Sequence, residues 1–554
     1  MVKFKIITSL NEISHLTPEH PLFSDCETEK LYVNMRLLQV YQPMVDDTVY
    51  ILDTDILDEQ DIKNWLLDKW TIWHNCSYDL GTLNMVPAGI DDTLYLCKNA
   101  FPEWQIYGLD KVVDYLGFGY LYEGLDKKEK QKDGFMKGVY LSNKQLRYAA
   151  ADVVALSKIW EHPLVQKCRE ITAYKVDMLN VRYAIQYQQN GIDVHTPSVK
   201  KELQKCYFDI KTNIELLNGL NPNSPKQCKQ ALGVDSTNEK MLVRLISEGN
   251  IVAKTVYDQR RLIKRKAMLE SYNYSKVYTR FNVAGAVTGR FTSTGGDIPM
   301  GINSQQIPRS LQYMFIPEDP EYVIVKCDYP TLELRLGCTI FNEYVMYERL
   351  MAGEDLHIAT ARDISGNIDI SKKERQDAKA VNFGFLFGMG AESFIEYAFL
   401  KYNVIFTLEQ AKKIRAKYFQ IYPGFAAYHR NVWNKVKQGN YIYTTPLGRR
   451  VKPRTGTDGI NGPVQGGGSE VTKLSVHYMC KEEPKILTML NNVVHDANYA
   501  KVHISEAEEV GHFMVRNMAK AWAEISKTKT FHFKDIPMPL EYEILTIGEK
   551  HARL

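Results

Sequence analysis

The chain has 554 residues, 45% hydrophobic and 24% charged, an ordinary globular composition with length for about two to four domains. No apolar run is long enough to span a membrane, and the N-terminus lacks the long apolar core of a secretory signal. Nine scattered cysteines without a CxxC pair argue against a disulfide framework or a zinc site, so a reducing compartment is expected. The net charge of +3 is unevenly spread. Residues 1–165 hold 16 Lys+Arg against 25 Asp+Glu, leaving the remainder at +12. An acidic front on a basic body suits a polyanion-binding protein with an acidic module, and uneven charge also occurs in ordinary two-domain chains.

In chain order, Leu22 to Val40 reads LFSDCETEKLYVNMRLLQV, with Asp25 and Glu27 alternating about Cys26. Two carboxylates at i and i+2 on a strand point to one side and repel unless a cation relieves them; a surface strand could carry the same pair. TIWHNCSYDLGTL supplies Asp79, and RYAAADVVALSKIW sets Tyr148 and Asp152 four apart on one helix face. Together DCE, HNxxxD and YxxxD resemble the three motifs of the DEDDy 3′–5′ proofreading exonucleases. The resemblance implies an RNase H-like α/β fold. It also implies a two-metal site in which Asp25, Glu27, Asp79 and Asp152 hold the ions and Tyr148 positions the attacking water.

From about residue 170 the pattern turns to long, Lys-rich helical segments, interrupted by LNPNSPKQ at 220–227, where Ser224 or Asn221 caps a helix opening at Pro225. Lys254, Arg260, Arg261, Lys264, Arg265 and Lys266 form a basic cluster, either a solvated face or one suited to phosphate. AVTGRFTSTGGDIPMGINSQQIPR, 286–309, is glycine-rich and broken by prolines, hence a loop. YVIVKCDYPTLELR, 322–335, alternates Val323, Val325 and Cys327 with Ile324 and Lys326, a strand ending at Asp328 and turning into a helix. Such an aspartate either caps the helix or reaches a metal. Arg375, Lys379, Phe383 and Phe387 recur at i+4. Two cations followed by rings suit a nucleoside triphosphate, though an amphipathic helix with a basic edge reads the same way. LNNVVHDANYAKVHIS alternates on both sides of His495-Asp496, a hairpin with the acid at its turn.

These stretches resemble the motifs of family A DNA polymerases. NPNSPKQ is similar to a thumb segment, and TGRFTS with NSQQIPR to a primer-contacting loop. DYPTLELR resembles motif A, RQDAKAVNFGFLFG motif B and VHDA motif C. The resemblance implies that Asp328 and Asp496 bind both catalytic metals and that Glu333 blocks a ribose 2′-hydroxyl. His357, Arg375 and Lys379 would lie near the triphosphate, with Phe383 and Phe387 beside them. Arg290, Gln306, Asn461, Gln465 and His495 would contact the template-primer, and Arg449 and Arg450 would meet phosphate. Pro330-Thr331 departs from the usual Ser-Gln, Phe387 stands in place of tyrosine, and Ala497 replaces a glutamate.

The resemblance runs from about residue 20 to 510. It implies an α/β RNase H-like exonuclease domain (1–165) and an α+β right-hand polymerase domain (166–554). Within the latter the thumb would span about 170–275, the fingers about 341–439, and the palm about 276–340 and 440–554. The expected activity is template-directed DNA synthesis with proofreading, as in the compact bacteriophage enzymes, without a preceding 5′-nuclease domain. Two Mg²⁺ ions per active site are expected, with Mn²⁺ as substitute. Expected partners are primer-template DNA, dNTPs and a replisome or processivity factor. The expected location is the cytoplasm, that of a bacterial host if phage-encoded. The alternatives are a single-subunit RNA polymerase-like enzyme, which Glu333 and the exonuclease motifs oppose, and a catalytically silent DNA-binding accessory, favoured only by Ala497.

Overall fold

The alternating stretches at the N-terminus pair into one mixed sheet in the computed structural model, which describes residues 2–30, 33–125, 134–296 and 298–547. Its order is Phe4–Ile6, Asp46–Asp53, Val33–Gln42, Leu22–Lys30, Trp70–Trp73, Gly89–Asp92. The three strands from Leu22 to Asp53 form an antiparallel meander, and the flanking strands add in parallel. Helix Asn143–Trp160 starts at a capping box between Ser142 and Gln145 and buries Ala149, Ala150, Val153, Leu156 and Ile159. Alanines at the contact let the helix lie close to the sheet.

Helix Thr172–Asn190 is buried on several faces, through Tyr174, Asp177, Asn180, Val181 and Tyr187, and packs between the N-terminal sheet and helix Gly456–Glu482. The Tyr174 hydroxyl donates to Asp91 of the exonuclease at 2.6 Å, and Asn180 Nδ2 donates to the Lys473 carbonyl of the palm at 3.2 Å. Beyond that helix run four others, Thr196–Leu216, Pro225–Leu232, Glu239–Ser247 and Ile251–Ser271, in the stretch expected to form the thumb. Ser224 caps the second of these, accepting from Gln227 N at 3.4 Å. The thumb has its own small core of Leu217, Cys228, Leu242, Val243 and Val256. Its basic cluster is largely engaged within the chain. Arg260 turns inward to the carbonyls of Pro222 (2.7 Å) and Thr237 (2.6 Å). Lys254, Lys266 and Arg265 pair with Asp258, Glu270 and Glu202.

The palm sheet is antiparallel, in the order Leu490–Val494, Ala497–His503, Tyr322–Asp328, Glu541–Leu545. Val323, Val325 and Cys327 are buried, and the Cys327 thiol lies against the Gly511 carbonyl of helix Ala507–Ile525. Lys326 and Asp328 therefore face the other way. After Asp328 the chain reverses into helix Leu332–Ile340 through Thr331 at φ 52°, an uncommon conformation for a β-branched residue. The Pro330-Thr331 departure thus shapes this turn directly. Five helices, from Leu356–Ser365 to Pro423–Lys437, in the stretch expected to form the fingers, pack around Phe385, Phe394, Tyr418, Tyr422 and Phe425.

Under the palm, Asp177 is fully buried between two cations. Its Oδ1 meets Lys473 Nζ at 2.6 Å and its Oδ2 meets Arg449 Nη2 at 2.7 Å. Lys473 also donates to the Gly289 carbonyl at 2.6 Å, as does the Ser469 hydroxyl at 2.8 Å. Gly289 has φ +82° and lies against the Arg449 side chain, so a Cβ would be both strained and obstructed. Replacing Asp177 with Ala should lower stability by about 3–5 kcal/mol by stranding two buried cations. Urea unfolding reads this, and a loss under about 1 kcal/mol would contradict the role given to the pair.

Candidate active sites

A first cleft, about 320 Å³, lies where strand Leu22–Lys30 meets helices Cys76–Leu83 and Asn143–Trp160. Asp25, Glu27, Asp79, Asp152 and Tyr148 all line it. One carboxylate oxygen each from Asp25, Glu27 and Asp152 falls within 4.8 Å of the others. Asp79 is set back, with its Oδ1 accepting from the Cys26 backbone at 3.1 Å. Burial pushes its carboxyl well above the usual range, with the Asp92 and Glu27 charges adding to the shift. Tyr122 was not anticipated. Its hydroxyl donates to Asp152 Oδ1 at 2.7 Å, and its ring lies 5.3 Å from that of Tyr148.

The second cleft, about 440 Å³, opens between palm and fingers, with Asp328, His357, Arg375 and Lys379 on its walls. Asp328 Oδ1 is buried and has no hydrogen-bond partner. Burial raises the Asp328 carboxyl, against the pull of Lys326 and Arg309, and raises Asp496 well above the usual range, with Asp328 and Glu333 contributing. Like charges held together in this way need a cation or a proton. Both donor sets are all-oxygen and carboxylate-rich and so fit hard divalent ions. Asp496 follows His495, whose φ of 55° makes the hairpin turn.

Helix Lys372–Leu386 begins at a capping box between Ser371 and Glu374. Arg375 is aimed by Asp355, to which its Nε and Nη2 donate at 3.0 and 2.7 Å. The same Asp355 caps helix Leu356–Ser365 through His357 N and Ile358 N. Burial depresses the Lys379 ammonium, helped by Arg309 and Arg375. Phe383 lies 5.8 Å from the His357 ring. Phe387 falls beyond the helix, at its C-cap, and is buried. The expected four-residue stripe therefore ends at Phe383, because the backbone leaves the helix before Gly388 at φ 72°.

The expected DNA-contacting residues divide. Arg290 Nη2 donates to Glu333 Oε1 at 2.5 Å, beside Asp496 and His495. Gln306 is exposed in a short 3₁₀ turn. Asn461, Gln465 and Arg450 line a separate groove with Lys98 and Trp104 of the exonuclease. Arg450 also donates to the Asn99 carbonyl at 3.0 Å. Arg449 corrects the expectation of a phosphate contact, because its guanidinium is buried against Asp177.

A model of DNA polymerase family A matches residues 183–544. The chain belongs to that family. A 3′–5′ exonuclease model matches residues 4–211, so this family A enzyme is a DNA-directed DNA polymerase with a 3′–5′ exonuclease domain, performing template-directed synthesis with proofreading. It is 27% identical to DNA polymerase I of Aquifex aeolicus over 93% of this chain and 94% of the relative. It is 26% identical to DNA polymerase I of Helicobacter pylori, covering 76% of this chain and 49% of that relative, about half its length. The POL domain of Pol1 from M. smegmatis shares the fold, with TM-score 0.73 and 19% identity, over 97% of this chain and 96% of that one. No helix among the described residues is long and apolar enough to cross a membrane.

Several residues of the second cleft are singled out by no motif in the sequence. Arg309 acts electrostatically on both Asp328 and Lys379; it ends the NSQQIPR stretch but was not singled out. Lys326 shares a face with Asp328, as period-2 alternation dictates, and its Nζ lies 4.0 Å from Asp328 Oδ2. Glu541 and Glu543 also line the cleft, without a motif to mark them. Burial lowers the His357 imidazole from 6.5 to about 4, the Lys379 and Arg375 charges adding and Asp355 opposing. As pH falls through 6.5 toward 4, the unfolded chain takes up a proton that the folded site refuses, so this residue reduces stability in that window. NMR titration should find the ring neutral at neutral pH, whereas a midpoint at 6.5 would contradict its burial.

Proposed function

We propose that Asp328 and Asp496 are the metal-binding carboxylates of DNA synthesis and that Asp25, Glu27, Asp79 and Asp152 serve 3′–5′ trimming. The observation that carries this reading is the palm register. Strand Tyr322–Asp328 ends opposite Ala497, which brings Asp328 beside the turn bearing Asp496, at the mouth of a cleft lined by Arg309, Arg375 and Lys379. Divalent ions, with Mg²⁺ assigned and Mn²⁺ as substitute, would activate the attacking hydroxyl or water and neutralise the leaving group at each site.

The chain's own groups do the rest. Lys379, Arg375 and Arg309 pair with triphosphate oxygens, which spread negative charge as pyrophosphate leaves. His357, neutral and hydrogen-bonded at 2.9 Å to Asn382 Nδ2, supports that wall without adding charge. Phe383 offers a ring toward the base or sugar, with Phe387 packed behind it. Glu333, fixed by Arg290, leaves little room for a ribose 2′-hydroxyl. In the exonuclease cleft Tyr148 orients the attacking water.

The POL domain of M. smegmatis Pol1 is in complex with DNA primer-template and dNTP, and we assign the same ligands here. Gln306, Arg290, His495, Asn461, Gln465 and Arg450 would contact the nucleic acid. We assign the exonuclease to residues up to about 165, the thumb to Thr196–Ser271, the fingers to about 341–439 and the palm to the two segments around them. A cytoplasmic location is supported by the free, mostly buried cysteines.

Asp496→Ala should reduce primer extension by on the order of a thousandfold while sparing single-strand trimming, and Asp25→Ala should do the reverse. Substantial synthesis by the first variant would overturn the polymerase assignment, and persistent trimming by the second the exonuclease assignment. Glu333→Ala should raise rNTP over dNTP incorporation about 10- to 200-fold; an unchanged ratio would show that Glu333 does not exclude the hydroxyl.

A further inference from the structure

In the palm sheet, Asp328 has a register partner on each side. On one neighbouring strand this is Ala497, which brings no ligand atom; on the other it is Glu541. Directly opposed residues of an antiparallel pair project from the same face about 5 Å apart, so Glu541 stands on the Asp328 side of the sheet. Both residues line the same cleft.

Lys326, the cation on the same strand face, is already engaged. Lys326 Nζ is 3.2 Å from Glu543 Oε2 and 4.0 Å from Asp328 Oδ2. Glu541 is exposed and makes no ion pair among the described residues. Asp328 Oδ1, by contrast, is buried and lacks a hydrogen-bond partner. An unneutralised carboxylate thus stands beside an unsatisfied one, in a cleft otherwise rich in arginine and lysine.

We propose that Glu541 helps hold the divalent cation at Asp328, supplying from one neighbouring strand the carboxylate that Ala497 lacks on the other. This rests on the reading of Asp328 as a metal ligand. A third carboxylate at this place raises the negative charge available to the cation without lengthening the Asp496 turn. It also explains how the polymerase centre can keep its ion with alanine after Asp496.

The test is Mn²⁺ binding to the full-length protein without DNA, followed by electron paramagnetic resonance. Asp25→Ala and Glu27→Ala silence the exonuclease ions in every sample. Asp328→Asn, Glu541→Gln and Glu541→Gln with Ala497→Glu are compared in that background, with thermal melting as a check on folding. Glu541→Gln should weaken the remaining site about tenfold and raise the Mg²⁺ concentration for half-maximal primer extension. Adding Ala497→Glu should restore both.

If Asp328→Asn abolishes the site while Glu541→Gln leaves affinity and Mg²⁺ dependence unchanged, the inference is overturned and the metal assignment stands. If Asp328→Asn also leaves the site intact, the underlying assignment fails, and the inference with it. Failure of Ala497→Glu to restore either quantity would show that the two positions are not interchangeable, overturning the substitution proposed here.

Discussion

A carboxylate with no exposed surface, Asp177, holds the molecule's halves in register. It lies on the helix that continues the exonuclease into the palm, and its two oxygens are divided between Lys473 and Arg449. Neither cation can leave without exposing buried charge, which fixes the spacing of three segments at once. Lys473 extends the constraint to the Gly289 carbonyl, one residue before Arg290. Arg290 in turn grips Glu333 on the helix that follows Asp328. A buried ion pair is thereby connected, link by link, to Glu333. Replacing the pair with apolar groups could preserve stability yet release this chain of positions.

The carboxylates proposed to bind metal show the opposite use of charge. Asp328 and Asp496 are brought together and desolvated, each charge raising the cost of the other, and carboxylate oxygens of Asp25, Glu27 and Asp152 converge within 4.8 Å of one another. Such clusters are costly in the empty protein and favourable only with cations bound. The structural site spends its opposite charges internally, and the functional sites leave theirs available. Lys379 and Arg375 follow the second pattern, Arg375 being steered by a helix cap instead of being cancelled by a buried partner.

How much was legible in the chain follows from whether a signal was local. Period-2 alternation gives the strand through Asp328, the Ser371–Glu374 spacing opens the helix carrying Arg375 and Lys379, and i, i+2 placement pairs Asp25 with Glu27. The structure brings those residues together. The resemblance gave Arg449 a phosphate contact together with Arg450, and only Asp177, in a distant helix, decides that the first arginine points inward. Helix Thr172–Asn190 was hard to place for a related reason: a helix buried on several faces lacks the stripe that reveals its neighbours. Glu541 was missed because strand order in a sheet need not follow the sequence, and no turn connects it to Asp328.

That same strand order has a temporal side. The strands of the exonuclease sheet all lie between Phe4 and Asp92, whereas Asp328 gains its neighbours only from Ala497–His503 and, last, Glu541–Leu545. A chain emerging from the ribosome N-terminus first can close the nuclease sheet early, while the polymerase strand waits for nearly all that follows. Interrupted synthesis therefore leaves the editing half nearest completion and the copying half unassembled. An interrupted chain thus carries a fully paired N-terminal sheet beside a strand, Tyr322–Asp328, that still lacks both of its neighbours.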